Sequence, residues 1–335
     1  MIQNKFWKNK KVLITGIDGF VGSNLAKKLI RLEAKVYGIV QKKKNSLLYF
    51  ESIHKKCKLF KGEITNKTFI DKLVGKNNFE IVFHLAAQVE VGVANKGPYK
   101  TWESNIRGTY TLLDSFTKFK KIKSIIVASS DKSYGAYPKK DLPYKEYYPS
   151  NAIYPYDVSK ACADMIAKTY SSNLYNLPIV ITRFANIYGP GQLHFSALIP
   201  DLARSIIKKT QFIPRGDGKD IRDYVFINDI VDLYLLLSLK LYKNKKLSGE
   251  VFNAGTNQPL TIKQIVKKFY NFKNRTKDLN KILRKMKNKK TKGEIKYQFM
   301  DFSKLYRYFK WKPEFSFDDT IEEVLNWYSE YLKKR

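Results

Sequence analysis

Cysteine is scarce in this chain: Cys57 and Cys162 are its only two, and neither lies in a Cys-x-x-Cys. Two such residues cannot build a disulfide framework, and a reducing cytoplasm is the compartment they fit. Long apolar runs are missing as well. None approaches the roughly 20 residues that span a bilayer, so no membrane insertion is expected. The opening MIQNKFWKNKKVLITG carries basic residues, but its apolar part runs straight into a glycine turn without a small-residue cleavage site. It therefore reads as no signal peptide. Acidic residues are few: 30 Asp and Glu stand against 63 Lys and Arg, a formal net charge of +33. Such a balance suits nucleic acid, anionic membranes or acidic substrates. The lysines, however, are scattered along the whole chain, which fits a solvated surface. Residues 271–300 are denser, with 11 Lys or Arg and 2 Asp or Glu. They lack interleaved aromatics for base stacking, so they read as a solvated face or mobile insertion, and no nucleic-acid partner is expected.

What is present is a globular composition, 44% hydrophobic over 335 residues, and a regular alternation of patterns. KKVLITG, KVYGIV, KCKLFKGEIT, FEIVFHLAA, IKSIIVASS and LPIVITRFANIYG read as strands. Between them VGSNLAKKLIRLEA, NKTFIDKLVGK, TWESNIRGTYTLLDSFTKF and PYDVSKACADMIAKTYSSNL have helical spacing. This alternation predicts an α/β fold, a doubly wound parallel sheet of the Rossmann kind over residues 1–190. After Gly189–Gln192 the pattern loosens into a smaller C-terminal substrate lobe over 191–335, with segments near 222–255 returning to the sheet domain.

TGIDGFVG places Gly16, Gly19 and Gly22 between the first strand and the first helix, with Thr15, Phe20 and Val21 beside them. Glycines at this spacing let backbone approach a pyrophosphate, and the helix start adds amide donors and a positive dipole end. The acid that holds the ribose hydroxyls of NAD at the end of the second strand is missing. Val40 and Gln41 stand there, followed by Lys42–Lys44, which could meet a 2′-phosphate and leave NADP open. NAD is the expected cofactor, because the chemistry below recycles it in place. After the third strand, Glu63 and Ile64 are candidates for the adenine side. No metal is expected.

Tyr156 and Lys160 are four residues apart at a helix start, so both lie on one helical face. An ammonium beside a phenol favours phenolate, which can take a proton from a sugar hydroxyl. The Tyr-x-x-x-Lys spacing gains meaning from its place after the fifth strand and downstream of a dinucleotide turn.

Together TGIDGFVG, FHLAAQ, NIRGT, SSDKSYG, YDVSK, RFANIYGPG, RDYVFINDIV and VFNAGT resemble the extended short-chain dehydrogenase/reductase family of nucleotide-sugar epimerases and dehydratases, over nearly the whole chain. The resemblance implies that Ser130 hydrogen-bonds the reacting sugar hydroxyl. It implies that Leu85, Ala86 and Ala87 run along the cofactor's ribose and nicotinamide side. It implies that Gln88, Arg183 and Asn186 line the substrate mouth, and that Arg222 binds the nucleotide diphosphate. His194 is a candidate substrate contact, while His84 reads as a packing residue. Members of this family commonly dimerise through paired helices, which implies a homodimer using 101–119 and 156–175.

Ser130 is followed by Asp131 and Lys132, where simple epimerases carry small or neutral residues. Nucleotide-sugar 4,6-dehydratases typically have Asp-Glu there. Asp-Lys, the Phe6-Trp7 pair and the missing ribose acid resemble the CDP-glucose 4,6-dehydratase branch. The implied activity is therefore a lyase acting on a nucleotide sugar in deoxysugar or polysaccharide synthesis. Asp131 would be the acid at O6, and Lys132 the C5 base or the cation that stabilises the enolate. The alternatives are a 4-epimerase with the same Ser-Tyr-Lys set, or a basic nucleic-acid-binding protein on an inactive dinucleotide fold.

Overall fold

Val12, Leu13 and Ile14 are fully buried, as are Ile81, Val82 and Phe83 and, further on, Ile125 and Ile126. Runs apolar on both faces need cover on both sides, which is the setting of a parallel sheet. A computed structural model describes residues 2–41, 45–118, 121–287, 289 and 295–334. In it the strands β1 (Lys11–Thr15), β2 (Lys35–Val40), β3 (Lys58–Lys61), β4 (Ile81–His84), β5 (Ser124–Ala128) and β6 (Ile179–Phe184) join one seven-stranded sheet. Its order is Val251–Ala254, β6, β5, β4, β1, β2, β3. The pairs from β6 to β3 are parallel, and the register sets Thr15 level with His84 and His84 level with Val127. The central strands thus end together, and their carboxyl ends form the rim where ligands bind in open α/β sheets.

The helices follow the amphipathic stretches. Phe20–Arg31 buries Gly22, Ser23, Leu25, Ala26 and Leu29. Lys67–Asn77 is capped by the Asn66 side chain, which accepts from the Phe69 amide. Pro155–Ser171 starts on Pro155, whose fixed φ suits a first helical turn. The stretch before the helix Gly108–Thr117 widens into a π-helical turn, Glu103–Arg107. Phe6 and Trp7 also have a structural use. Trp7 is fully buried 6.3 Å from the Phe83 ring, and Phe6 meets Trp7 and Tyr242 edge-on at 5.0 Å each.

The chain divides into two units, the first comprising residues 1–135, 149–183 and 231–252, the second 136–148, 184–230 and 253–335. The second unit pairs Asn186–Tyr188 in parallel with Tyr224–Phe226, and orders Leu260–Thr261, Ile221–Arg222 and Tyr297–Gln298 in a small sheet. Its helix Ile262–Phe272 opens with a capping box between Thr261 and Gln264. The basic stretch is more ordered than its composition suggested. Thr276–Met286 is a helix that buries Leu279, Ile282 and Met286 and turns its lysines outward, so at least this part is a solvated face on a packed element.

Candidate active site

The glycine turn follows β1 and ends on Gly19, the first cap of Phe20–Arg31, which has no side-chain cap bond. Gly16 has φ +70°, and a Cβ there would come within 2.9 Å of the Ala86 backbone. A Cβ on Gly22 would lie 2.2 Å from the Gly16 carbonyl oxygen. These two glycines let the turn fold onto its own helix and onto the end of β4. Beside them is a cavity of about 310 Å³ lined by Thr15, Gly16, Ile39, Gln41, Ile64 and Ala86, among others. An uncapped helix start, glycines that keep backbone exposed and walls of small and apolar residues fit a dinucleotide. Ala87 and Gln88 continue the lining, and Leu85 is tied by its amide to the Thr15 carbonyl at 3.2 Å. Glu63 is exposed beside the wall that Gly62 and Ile64 form. Lys42–Lys44 lie outside the described residues. Asp18 also lines the cavity and was missed, because an acid inside a glycine turn reads as a turn residue.

β5 delivers the second element. Ser130 caps the 3-10 turn Asp131–Tyr134, its Oγ accepting from the Lys132 amide at 3.3 Å and donating to Asp131 Oδ1 at 3.0 Å. Asp131 is buried and Lys132 half-buried. The turn is pinned from the next segment by Asn151 N to the Tyr134 carbonyl and Ser150 Oγ to the Ser133 carbonyl, both 2.7 Å.

Tyr156 and Lys160 start the helix behind this turn, and both are buried. The Asp131–Tyr134 turn packs against this helix, and Ser130 and Asp131 both act electrostatically on the Tyr156 phenol. Burial pushes the Tyr156 pKa up, Ser130 draws it down, and Asp131 and Asp157 raise it further. In the protein alone, desolvation and the acid neighbours outweigh Ser130 on this phenol. Lys160 sends Nζ to the Ala128 carbonyl at 2.8 Å. Its pKa is pushed down to about 8 by burial, against the opposing charge of Asp164.

His84 is buried and neutral: desolvation, then Lys160, lower its pKa to about 3. Thr109 donates its hydroxyl to the Asn105 carbonyl at 2.6 Å, so His84 Nε2 is the donor across 3.0 Å to Thr109. Nδ1 then accepts from Thr15 Oγ1 at 2.8 Å, and Thr15 Oγ1 accepts from the Ala86 amide at 3.1 Å. Asn105 continues the chain to Ser159 Oγ at 2.9 Å, and Ser159 Oγ reaches the Tyr156 carbonyl at 2.7 Å. His84 is therefore the packing residue expected. Asn105, inside the NIRGT stretch, is a link the reading of single motifs missed.

Arg183 was expected at the substrate mouth. Its side chain is 10% exposed, its Nε donates to Asp164 at 2.5 Å, and its Cζ lies 4.5 Å from the Tyr134 ring centroid. A guanidinium so engaged is part of the interior of the first unit. The other expected substrate residues in the second unit are Asn186, which donates to the Asp223 carbonyl at 3.3 Å, and Arg222, a buried arginine with Nη1 on the Ile221 carbonyl at 2.9 Å. His194 Nε2 sits against Ser196 Oγ. Among the described residues, no helix is long and apolar enough to cross a membrane.

A family profile described as GDP-mannose 4,6 dehydratase matches residues 13–324. The protein CapI of Staphylococcus aureus is 30% identical, across 97% of this chain and 100% of that one. The CDP-glucose 4,6-dehydratase of Salmonella typhimurium is 26% identical, across 99% and 94%. Among solved structures, a dTDP-glucose 4,6-dehydratase from Bacillus anthracis in complex with NAD superposes with a TM-score of 0.80 at 26% identity, covering 97% of this chain and 98% of that one. A UDP-glucose 4-epimerase from Thermotoga maritima with UDP-glucose gives 0.82 at 25%, covering 96% and 99%.

Proposed function

The chain belongs to the GDP-mannose 4,6 dehydratase family, and from that premise we propose that it removes water from a nucleotide hexose to give the 4-keto-6-deoxy sugar. CDP-glucose is the proposed substrate, on the strength of Asp131-Lys132 and of the similarity to a CDP-glucose 4,6-dehydratase. NAD is the cofactor proposed for the glycine cavity, with Thr15, Gly16, Gly19, Phe20, Val21, Gly22, Ile64 and Leu85–Ala87 holding it. When bound, NAD+ supplies the oxidant that takes hydride from C4 and returns it at C6.

Each protein group then has one task. Tyr156 receives the O4 proton, oriented by Ser130. Lys160, charged below its pKa, favours the phenolate that must be present before this step, which turns it into the neutral phenol. With C4 a ketone, the C5 proton becomes acidic and leaves to Lys132 or to a water that Lys132 holds. Asp131 protonates O6, and the C6–O6 bond breaks to release water. One proton is lost at C5 and one gained at O6 as water leaves, and a proton returns to C5 when hydride arrives at C6, so the sequence balances. The observation that carries this reading is the buried Asp131 carboxyl beside Ser130 and the Tyr156 phenol. Simple oxidation at C4 gives this carboxyl no task.

Gln88, Asn186, His194 and Arg222 are proposed as substrate contacts, with Arg222 on the diphosphate. A homodimer is proposed through the helical faces that expose Tyr99, Trp102, Tyr110 and Met165, and a cytoplasmic setting is consistent with free Cys57 and Cys162. The test is a panel of CDP-, GDP-, UDP- and dTDP-glucose incubated in deuterated water and read by mass. Loss of water with deuterium at C5 supports the dehydratase. A product of unchanged mass without deuterium supports the second reading, a 4-epimerase, which the likeness to the Thermotoga maritima enzyme keeps in view.

A further inference from the structure

We propose that the buried Asp164–Arg183 pair, with Tyr134 stacked on the guanidinium, is a positioning device that holds the Asp131–Lys132 turn and supplies the counter-charge to Lys160. Asp164 is one helical turn after Lys160, so the two share a face of Pro155–Ser171. Both are buried, at 3% and 6% exposure, where charges act on one another with little screening. Arg183 reaches Asp164 from β6 and takes Oδ2, leaving Oδ1 without a hydrogen-bond partner among the described residues. Tyr134 is fully buried and closes the 3-10 turn that begins at Asp131. A planar guanidinium can fork to a carboxylate and stack on a ring at once, which a lysine cannot. One arginine from β6 therefore joins the catalytic helix to the catalytic turn.

The groups facing Lys160 are few. β5 offers the Ala128 carbonyl, β4 the neutral His84, and its own helix Tyr156 one turn before and Asp164 one turn after. Asp164 is the anion in this set that favours the ammonium, and it opposes the effect of burial. Arg183 keeps that anion in place without a proton.

The two arms of the device separate experimentally, and neither needs a substrate. Protein carrying carbon-13 at lysine Cε is titrated through the alkaline range, and the Lys160 signal is identified by its loss in Lys160→Arg. In the wild type it is expected to titrate near about 8. In Asp164→Asn the midpoint moves acid, because the ammonium loses its anion. In Arg183→Lys the charge near Asp164 is kept and the midpoint stays, but amides 131–135 exchange hydrogen faster, because the stack on Tyr134 is lost. If Asp164→Asn does not fold, the double variant Asp164→Asn/Arg183→Met, which removes both charges, is expected to show both changes. A Lys160 midpoint unmoved without Asp164, or unchanged exchange at 131–135 in Arg183→Lys, overturns the proposal. Failure on every nucleotide sugar would instead count against the proposed reaction and leave these readings intact.

Discussion

At the end of β4, His84 has a hydrogen-bond partner on each ring nitrogen, and its tautomer is set by Thr15 and Thr109. At the start of the catalytic helix, Lys160 has one backbone carbonyl and a carboxylate a turn away. Both are buried bases whose pKa falls, one to about 3 and the other to about 8. The first ends far below any working pH and so holds the fold as a neutral group. The second ends where its charge is adjustable, close to the pH at which proton transfer is useful. Burial alone does not separate structure from chemistry; the neighbours do.

The largest effect is expected on the lysine side. Tyr156→Phe and Lys160→Met should each lower kcat by about 10²–10⁴-fold, measured as water loss, with NAD+ binding by calorimetry retained. Next comes Asp131→Asn, which should slow water loss by about 10²-fold or more while exchange of the C4 hydride persists; full dehydration by this variant would remove Asp131 from the acid role. On the histidine side the loss is in stability. His84→Ala leaves Thr15 and Thr109 short of a partner and should cost about 2–4 kcal/mol in urea unfolding, with a smaller loss for His84→Gln. The smallest effect is in pH. His84 binds its proton in the unfolded chain near 6.5 but in the folded one only near about 3. The unfolded state therefore holds more protons between these values, and stability falls as pH drops through that window. From pH 6.5 to 5 the His84 share is about 2 kcal/mol, and His84→Gln should flatten it. If melts of wild type and His84→Gln keep the same pH slope, the neutral-histidine side of the comparison fails.

Much of this was legible where chemistry demands fixed local spacing. Gly16 and Gly22 could be read because a turn this tight tolerates no Cβ, and Tyr156 with Lys160 because one helical turn sets both on one face. The strands were legible because buried apolar runs differ from amphipathic stretches. What stayed hidden depends on partners brought together by the fold. Arg183 lies 19 residues from Asp164, and in sequence it is simply the arginine of RFANIYG. The helix Thr276–Met286 was masked by its lysines, since three buried residues suffice to anchor it.

The sheet has a further consequence through the strand that joins it last. Val251–Ala254 lies beside β6, with bonds from Ile181 N to the Glu250 carbonyl and from Ala185 N to the Ala254 carbonyl. A nascent chain that has emerged only through β6 still presents that strand's open backbone, an invitation to pairing with a neighbouring molecule. Synthesis must run on past residue 254 before the rim is sealed, so shortened versions ending near 190 are expected to aggregate rather than survive as a free-standing half.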